Sequence, residues 1–97
     1  MSNYFEVSDY DGNKVFCTRN QWFSHIAPGH SIMSKNKKVV EETIISPDTV
    51  YTSSESPIRK VFFKSSSEAT YGTKLITKVI VEYACSNEGE VVTACLL

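Results

Sequence analysis

The spacing of apolar residues along the chain begins β-like, turns helical over roughly thirty residues, and then alternates with period two to the end. Residues 4–7 (YFEV) and 14–18 (KVFCT) flank a segment holding Asp11-Gly12. Asp-Gly is a strong turn signal, so these residues predict an N-terminal β-hairpin. Thr18 has the side chain of a helix N-cap, and the following RNQWFSHIA sets Trp22, Phe23 and Ile26 at helical spacing. Pro28-Gly29 predicts the end of that helix. A second helix is expected from about Ser34, where Val39, Val40, Thr43 and Ile44 form an apolar stripe. Lys35, Lys37, Lys38, Glu41 and Glu42 fall on its wet face, and Ser46-Pro47-Asp48 stops it.

Beyond Asp48 the runs TVYTS (49–53), RKVFFKS (59–65), TKLITKVIVEYA (73–84) and EVVTACL (90–96) all read as strands. In the third, Leu75, Val79, Val81 and Tyr83 share one face, with Lys74, Lys78 and Glu82 on the other. The connections SESP, SSEATYG and CSNEG are short and polar, which predicts antiparallel hairpins rather than crossover helices. The expected architecture is α+β: an N-terminal hairpin, two helices, then a four-stranded antiparallel meander with the helices packed on one face. The chain reads as one domain over 1–97, with the hairpin in 1–18, the helical part in 19–46 and the sheet in 49–97. No repeat, low-complexity tract or linker interrupts it.

Composition narrows the function classes. The chain has 97 residues, 41% hydrophobic, with a formal net charge of −1. Ordinary apolar content and low net charge exclude general disorder, and no apolar run approaches the ~18 residues of a membrane span. The sequence pI near 6.1 gives none of the global basic field common in nucleic-acid binders. Cys17, Cys85 and Cys95 are odd in number, far apart and free of metal-ligand spacing. They read as reduced thiols, and with no secretory signal visible the expectation is a cytoplasmic protein without metal or cofactor. The four glycines are isolated and make no nucleotide-binding loop.

Chemistry-bearing residues are few. The two histidines, His25 and His30, fall in WFSHIAPGH at the end of the first helix and just past it. Unperturbed imidazoles exchange protons near neutral pH. A cationic set, Arg59, Lys60 and Lys64, lies on one strand; alternation puts Lys60 and Lys64 on one face with Phe62, and Arg59 on the other with Val61 and Phe63. Arginine grips phosphate with a bidentate fork and lysine adds a point charge. Tyr51, Tyr71 and Tyr83 have rings able to stack on unpaired bases, although strand aromatics commonly serve as core. Thr93 adds a hydroxyl on the last strand.

In order, QWFSHIAPGHSIM, VVEETIISPDTVYTSS, KVFFK, LITKVIVEY and GEVVTACL make residues 21–97 resemble a phage and bacterial nuclease-like domain. That family belongs to the superfamily grouping barnase, EndoU, the colicin tRNases and the RelE toxins (the BECR fold). His25 and His30 stand at its two histidine positions, Pro47-Asp48 at the helix exit and Thr93-Ala94 at the start of the terminal motif, while Cys95 replaces a frequent tyrosine. The resemblance implies a metal-independent endoribonuclease in which the RNA 2′-hydroxyl attacks its own phosphorus to leave a 2′,3′-cyclic phosphate. It would need an acid, a base and a cation at the phosphorane. Implied roles are acid and base for His25 and His30, phosphorane stabilisation for Arg59 or Lys60, and phosphate orientation for Thr93. Lys60, Lys64, Trp22 and Tyr51 would contact the substrate. The implied partners are RNA and an inhibitory antitoxin or immunity protein, with no membrane. The alternative is a catalytically inactive RNA- or protein-binding module, favoured by the acidic pI and by Cys95.

Overall fold

Two short helical stretches lie against one face of a six-stranded sheet in a computed structural model that describes residues 3–29, 37–66 and 75–97. The strands are β1 (Asn3–Ser8), β2 (Lys14–Thr18), β3 (Thr49–Thr52), β4 (Arg59–Ser66), β5 (Leu75–Cys85) and β6 (Glu88–Leu96). Their order across the sheet is β1-β2-β6-β5-β4-β3. This corrects the expected four-stranded antiparallel meander with a separate hairpin. The hairpin is part of the sheet, because β2 pairs in parallel with β6, setting Lys14, Val15 and Phe16 beside Glu88, Gly89 and Glu90. The sheet is therefore mixed, with the remaining described pairings antiparallel. The reason is burial. Val15 and Cys17 are fully buried, and a two-stranded hairpin standing alone has no second layer to bury them.

Helix α1 spans residues 19–29 as an α turn (Arg19–Gln21), a π segment (Trp22–Ile26) and a further α turn (Ala27–Gly29). The Thr18 hydroxyl accepts from the Gln21 amide at 3.0 Å and caps its start. The Ala27 N–H reaches back five residues to the Trp22 carbonyl, and Pro28 has no N–H with which to continue the ordinary four-residue ladder. Helix α2 (Lys37–Ile45) buries Val40, Thr43 and Ile44, and the Thr43 hydroxyl donates to the Val39 carbonyl. Trp22 and Ile26 from α1, Val40 and Ile44 from α2, and Val15, Phe62, Val79, Val81, Val91 and Ala94 from the sheet form the core.

On β6 both Val91 and Ala94 point into that core, three residues apart rather than two. The register explains it: Ile80 pairs with Thr93, but Val81 pairs with Val91, leaving Val92 as an extra residue in a bulge. The freed Val92 carbonyl accepts from the Gln21 side-chain amide, which fastens the start of α1 to the sheet where β2 and β6 diverge. Beside the bulge, Gly89 is required by packing. A Cβ there would lie 2.6 Å from Val81 Cγ1 and 2.8 Å from Tyr83 Cε2, and Val81 is fully buried. Gly89→Ala should therefore destabilise the protein by about 2 kcal/mol, as overpacking does. A chemical-denaturation midpoint equal to that of the wild type would refute the close approach.

Candidate functional site

Outside its bulges the sheet register assigns the described strand residues to two faces. One carries the helices and the core. The other, the open face, is crossed by three rows of side chains. In the first row Thr49, Phe63, Lys78 and Cys95 stand side by side from β3 to β6. In the second stand Tyr51, Val61, Ile80 and Thr93. The third row runs Arg59, Glu82, Glu90, Phe16 and Glu6 from β4 to β1. A shallow groove of about 420 Å³ follows the first two rows, lined by Tyr51, Val61, Phe63, Lys78 and Ile80 and rimmed by residues 52–55 of the β3–β4 turn.

The residues proposed from sequence are divided between these faces. Arg59 and Thr93 are both on the open face, in adjacent rows. Arg59 is occupied there: its Nε donates to Glu82 Oε1 at 2.8 Å, and the hollow it borders also holds Gln21 and Glu90. Lys60 and Lys64 are on the helix face. The Lys64 ammonium donates to the Ser46 carbonyl at 2.7 Å, just past the end of α2, where a cation suits the helix C-terminus. The Lys60 ammonium lies 5.3 Å from the Tyr83 ring centroid and 5.8 Å from that of Tyr10. The three cations of β4 therefore do not gather at one site. Trp22 is fully buried, between the rings of Tyr4 and Phe5 at 5.2 and 6.2 Å, so its indole faces core rather than solvent. His25 is exposed on the π segment between buried Trp22 and Ile26, and His30 lies outside the described residues. Tyr51 is 56% exposed, edge-on to Phe63 at 5.6 Å.

No family model, curated protein or solved structure matches this chain. Its chemistry therefore has to be read from its own surfaces. Among the described residues no group of three histidine, cysteine or acidic side chains is placed to hold a metal ion. No described helix is long and apolar enough to cross a membrane. The cysteines are free thiols. Burial first, and then the charge of Glu90, pushes the Cys17 thiol up to about 12, which leaves it protonated and unreactive at neutral pH.

Sequence reasoning passed over the open face as a unit. The period-two alternation of β4 and β5 already separates Val61, Phe63, Ile80 and Lys78 from the core side. The missing information was that both helices lie on the opposite side and leave these apolar residues uncovered. It also passed over Asp9, which is 5% exposed and accepts from the Tyr83 hydroxyl at 2.7 Å and from the Asp11 and Asn13 amides at 2.9 and 2.8 Å. Burial alone would raise its pKa. The hydrogen bonds from Tyr83, Asn13 and Asp11 outweigh that and hold it below the ordinary carboxylate value. Burial and the bond to Asp9 in turn keep the Tyr83 hydroxyl protonated far above the usual tyrosine range.

Proposed function

We propose that this chain is a non-catalytic protein-interaction module that acts through the open face of its sheet. The observation that carries the reading is the uncovered apolar band made by Tyr51, Val61, Phe63, Ile76 and Ile80, with Ile76 and Tyr51 44% and 56% exposed. Contiguous exposed apolar surface rimmed by polar residues is the mark of a binding face. A protein partner is favoured over RNA by charge. Glu6, Glu82, Glu88 and Glu90 gather at one end of the face; Arg59 is paired with Glu82, and Lys14 with Glu6 and Glu88. Phosphates approaching that end would meet carboxylates, whereas nucleic-acid affinity comes chiefly from cations facing phosphate. The division of Arg59 from Lys60 and Lys64 also weighs against the phosphorane site that the nuclease resemblance implies. Three free thiols fit a reducing compartment such as the cytoplasm.

The reading is tested by photo-crosslinking in the cell that makes the protein. A benzophenone amino acid is placed at Tyr51, with the same probe at exposed Phe23 on the helix side as control. Tyr51 adducts to protein, absent from the Phe23 control, are the expected result. The reading is overturned if the two positions give the same adducts. It is equally overturned if the purified protein cuts RNA in EDTA and His25→Ala abolishes the cutting, which would return the catalytic reading.

A further inference from the structure

Resting on the open-face reading, we infer that the occupant of that face is a second copy of this chain, stacked sheet to sheet about a two-fold axis along the Tyr51–Val61–Ile80–Thr93 row. The layout of charge about that row is what points to a copy. On one side, Lys78 stands between Phe63 and Cys95, and among the described residues it has no carboxylate within ion-pair distance. On the other side, Glu82 and Glu90 are direct cross-strand neighbours and Arg59 pairs with Glu82, which leaves the Glu90 carboxylate in excess. Like charges opposed across a sheet are unfavourable by themselves. The face thus carries a surplus cation, an apolar row and a surplus anion, in that order along the strands.

A half-turn about the middle row reverses strand direction and preserves the order β3-β4-β5-β6. It lays the Phe63–Lys78–Cys95 row of each copy over the Arg59–Glu82–Glu90 row of the other. Lys78 then lies over Glu82 and Glu90 of the second copy, twice by symmetry, and Phe63 lies over the second copy's Arg59, a cation–π arrangement. Between them, Val61 and Ile80 meet their own counterparts. Sheets stacked this way sit about 10 Å apart, a gap that a lysine and a glutamate side chain span together. An isologous interface requires such self-complementarity. Four strands and about five residues along each make a footprint of only a few hundred Å² per copy. That is at the small end for a specific interface, so the dimer should be reversible, with a dissociation constant on the order of 100 µM.

Sedimentation velocity of the full chain under reducing conditions, from about 10 µM to about 1 mM, tests this. The wild type is expected to pass from monomer to dimer. Lys78→Glu and Glu90→Lys, each checked for an unchanged far-ultraviolet spectrum and melting temperature, should each weaken the dimer at least about tenfold, because each sets like charges together at both symmetric contacts. An equimolar mixture of the two variants should form a heterodimer within about threefold of the wild-type affinity, since at one contact the two substituted positions then face each other with opposite charge and the other contact is that of the wild type. A structural role for either side chain within one copy would not give that rescue. A wild type monomeric throughout, or variants that dimerise like the wild type, overturns the second copy as occupant. If Tyr51 then still captures a different protein, the open-face reading survives; if it captures nothing, both fall.

Discussion

Trp22→Ala should remove 3–5 kcal/mol of stability, about the range for deleting a buried aromatic ring, and lower the melting temperature by roughly 15 °C or more in a domain of this size. The indole is fully buried and is packed by Tyr4 and Phe5 where α1 crosses the sheet. Its Nε1 has no hydrogen-bond partner among the described residues, and an unpaired buried donor costs about 1–3 kcal/mol. Trp22→Phe therefore loses some packing and also removes that donor. The two effects offset, so this variant should stay within about 1.5 kcal/mol of the wild type. Urea unfolding followed by circular dichroism measures both, since the chain's single tryptophan is the residue replaced. If Trp22→Ala costs under 1 kcal/mol, the ring is not core, and its place at a ligand surface would have to be reconsidered.

Asp9→Ala should be the second most damaging change, at about 3 kcal/mol, because it leaves several donors without an acceptor at once. The Tyr83 hydroxyl loses its partner at 2.7 Å, and the Asn13 and Asp11 amides lose theirs. The turn they form also reaches α2, through the Tyr10 amide and the Ile44 carbonyl at 3.2 Å, so the loss loosens both the hairpin and a helix. The pH dependence carries its own signature. The folded Asp9 has a pKa below its unfolded value, so its ionisation stabilises the fold above the unfolded carboxylate range near pH 4. That contribution is lost as pH falls through the folded value. Between pH 7 and pH 3 the wild type should lose more stability than Asp9→Ala, and the two curves should converge in acid. Parallel curves would mean that Asp9 titrates alike in the folded and unfolded chain.

Much of the local structure was legible in the sequence, because strands announce themselves by alternation. TVYTS, RKVFFKS, TKLITKVIVEYA and EVVTACL each overlap one observed strand to within two residues at either end, and Asp11-Gly12 marks the first turn, where Gly12 has φ +84°. Assembly was not legible. Nothing in KVFCT says that it will pair in parallel with a segment more than seventy residues away, since parallel pairing leaves no turn signal in the sequence. The placement of the candidate site residues was not legible for a related reason. Arg59, Lys60 and Lys64 are close in sequence, but a strand sends alternate residues to opposite faces, and each ended on a separate local partner. Alternation foretold their division. It did not reveal that Lys64 would meet the exit of α2 or that Arg59 would find Glu82 across the sheet. Likewise Trp22 beside His25 suggested a binding surface, while the π turn sends the two side chains to opposite fates, one buried and one exposed.

The parallel seam between β2 and β6 has a consequence for the order of events during synthesis. The hairpin leaves the ribosome well before β6, so its inner strand gains its other neighbour only when residues 88–90 have been made. Until then Val15 and Cys17 have an unpaired backbone beside them, an edge open to any passing strand. Closing so long a loop carries a large entropic penalty before the contact is made, which slows folding. The protein should therefore complete its fold late and all at once. Release of the nascent chain before β6 appears would free an aggregation-prone hairpin rather than a smaller stable domain.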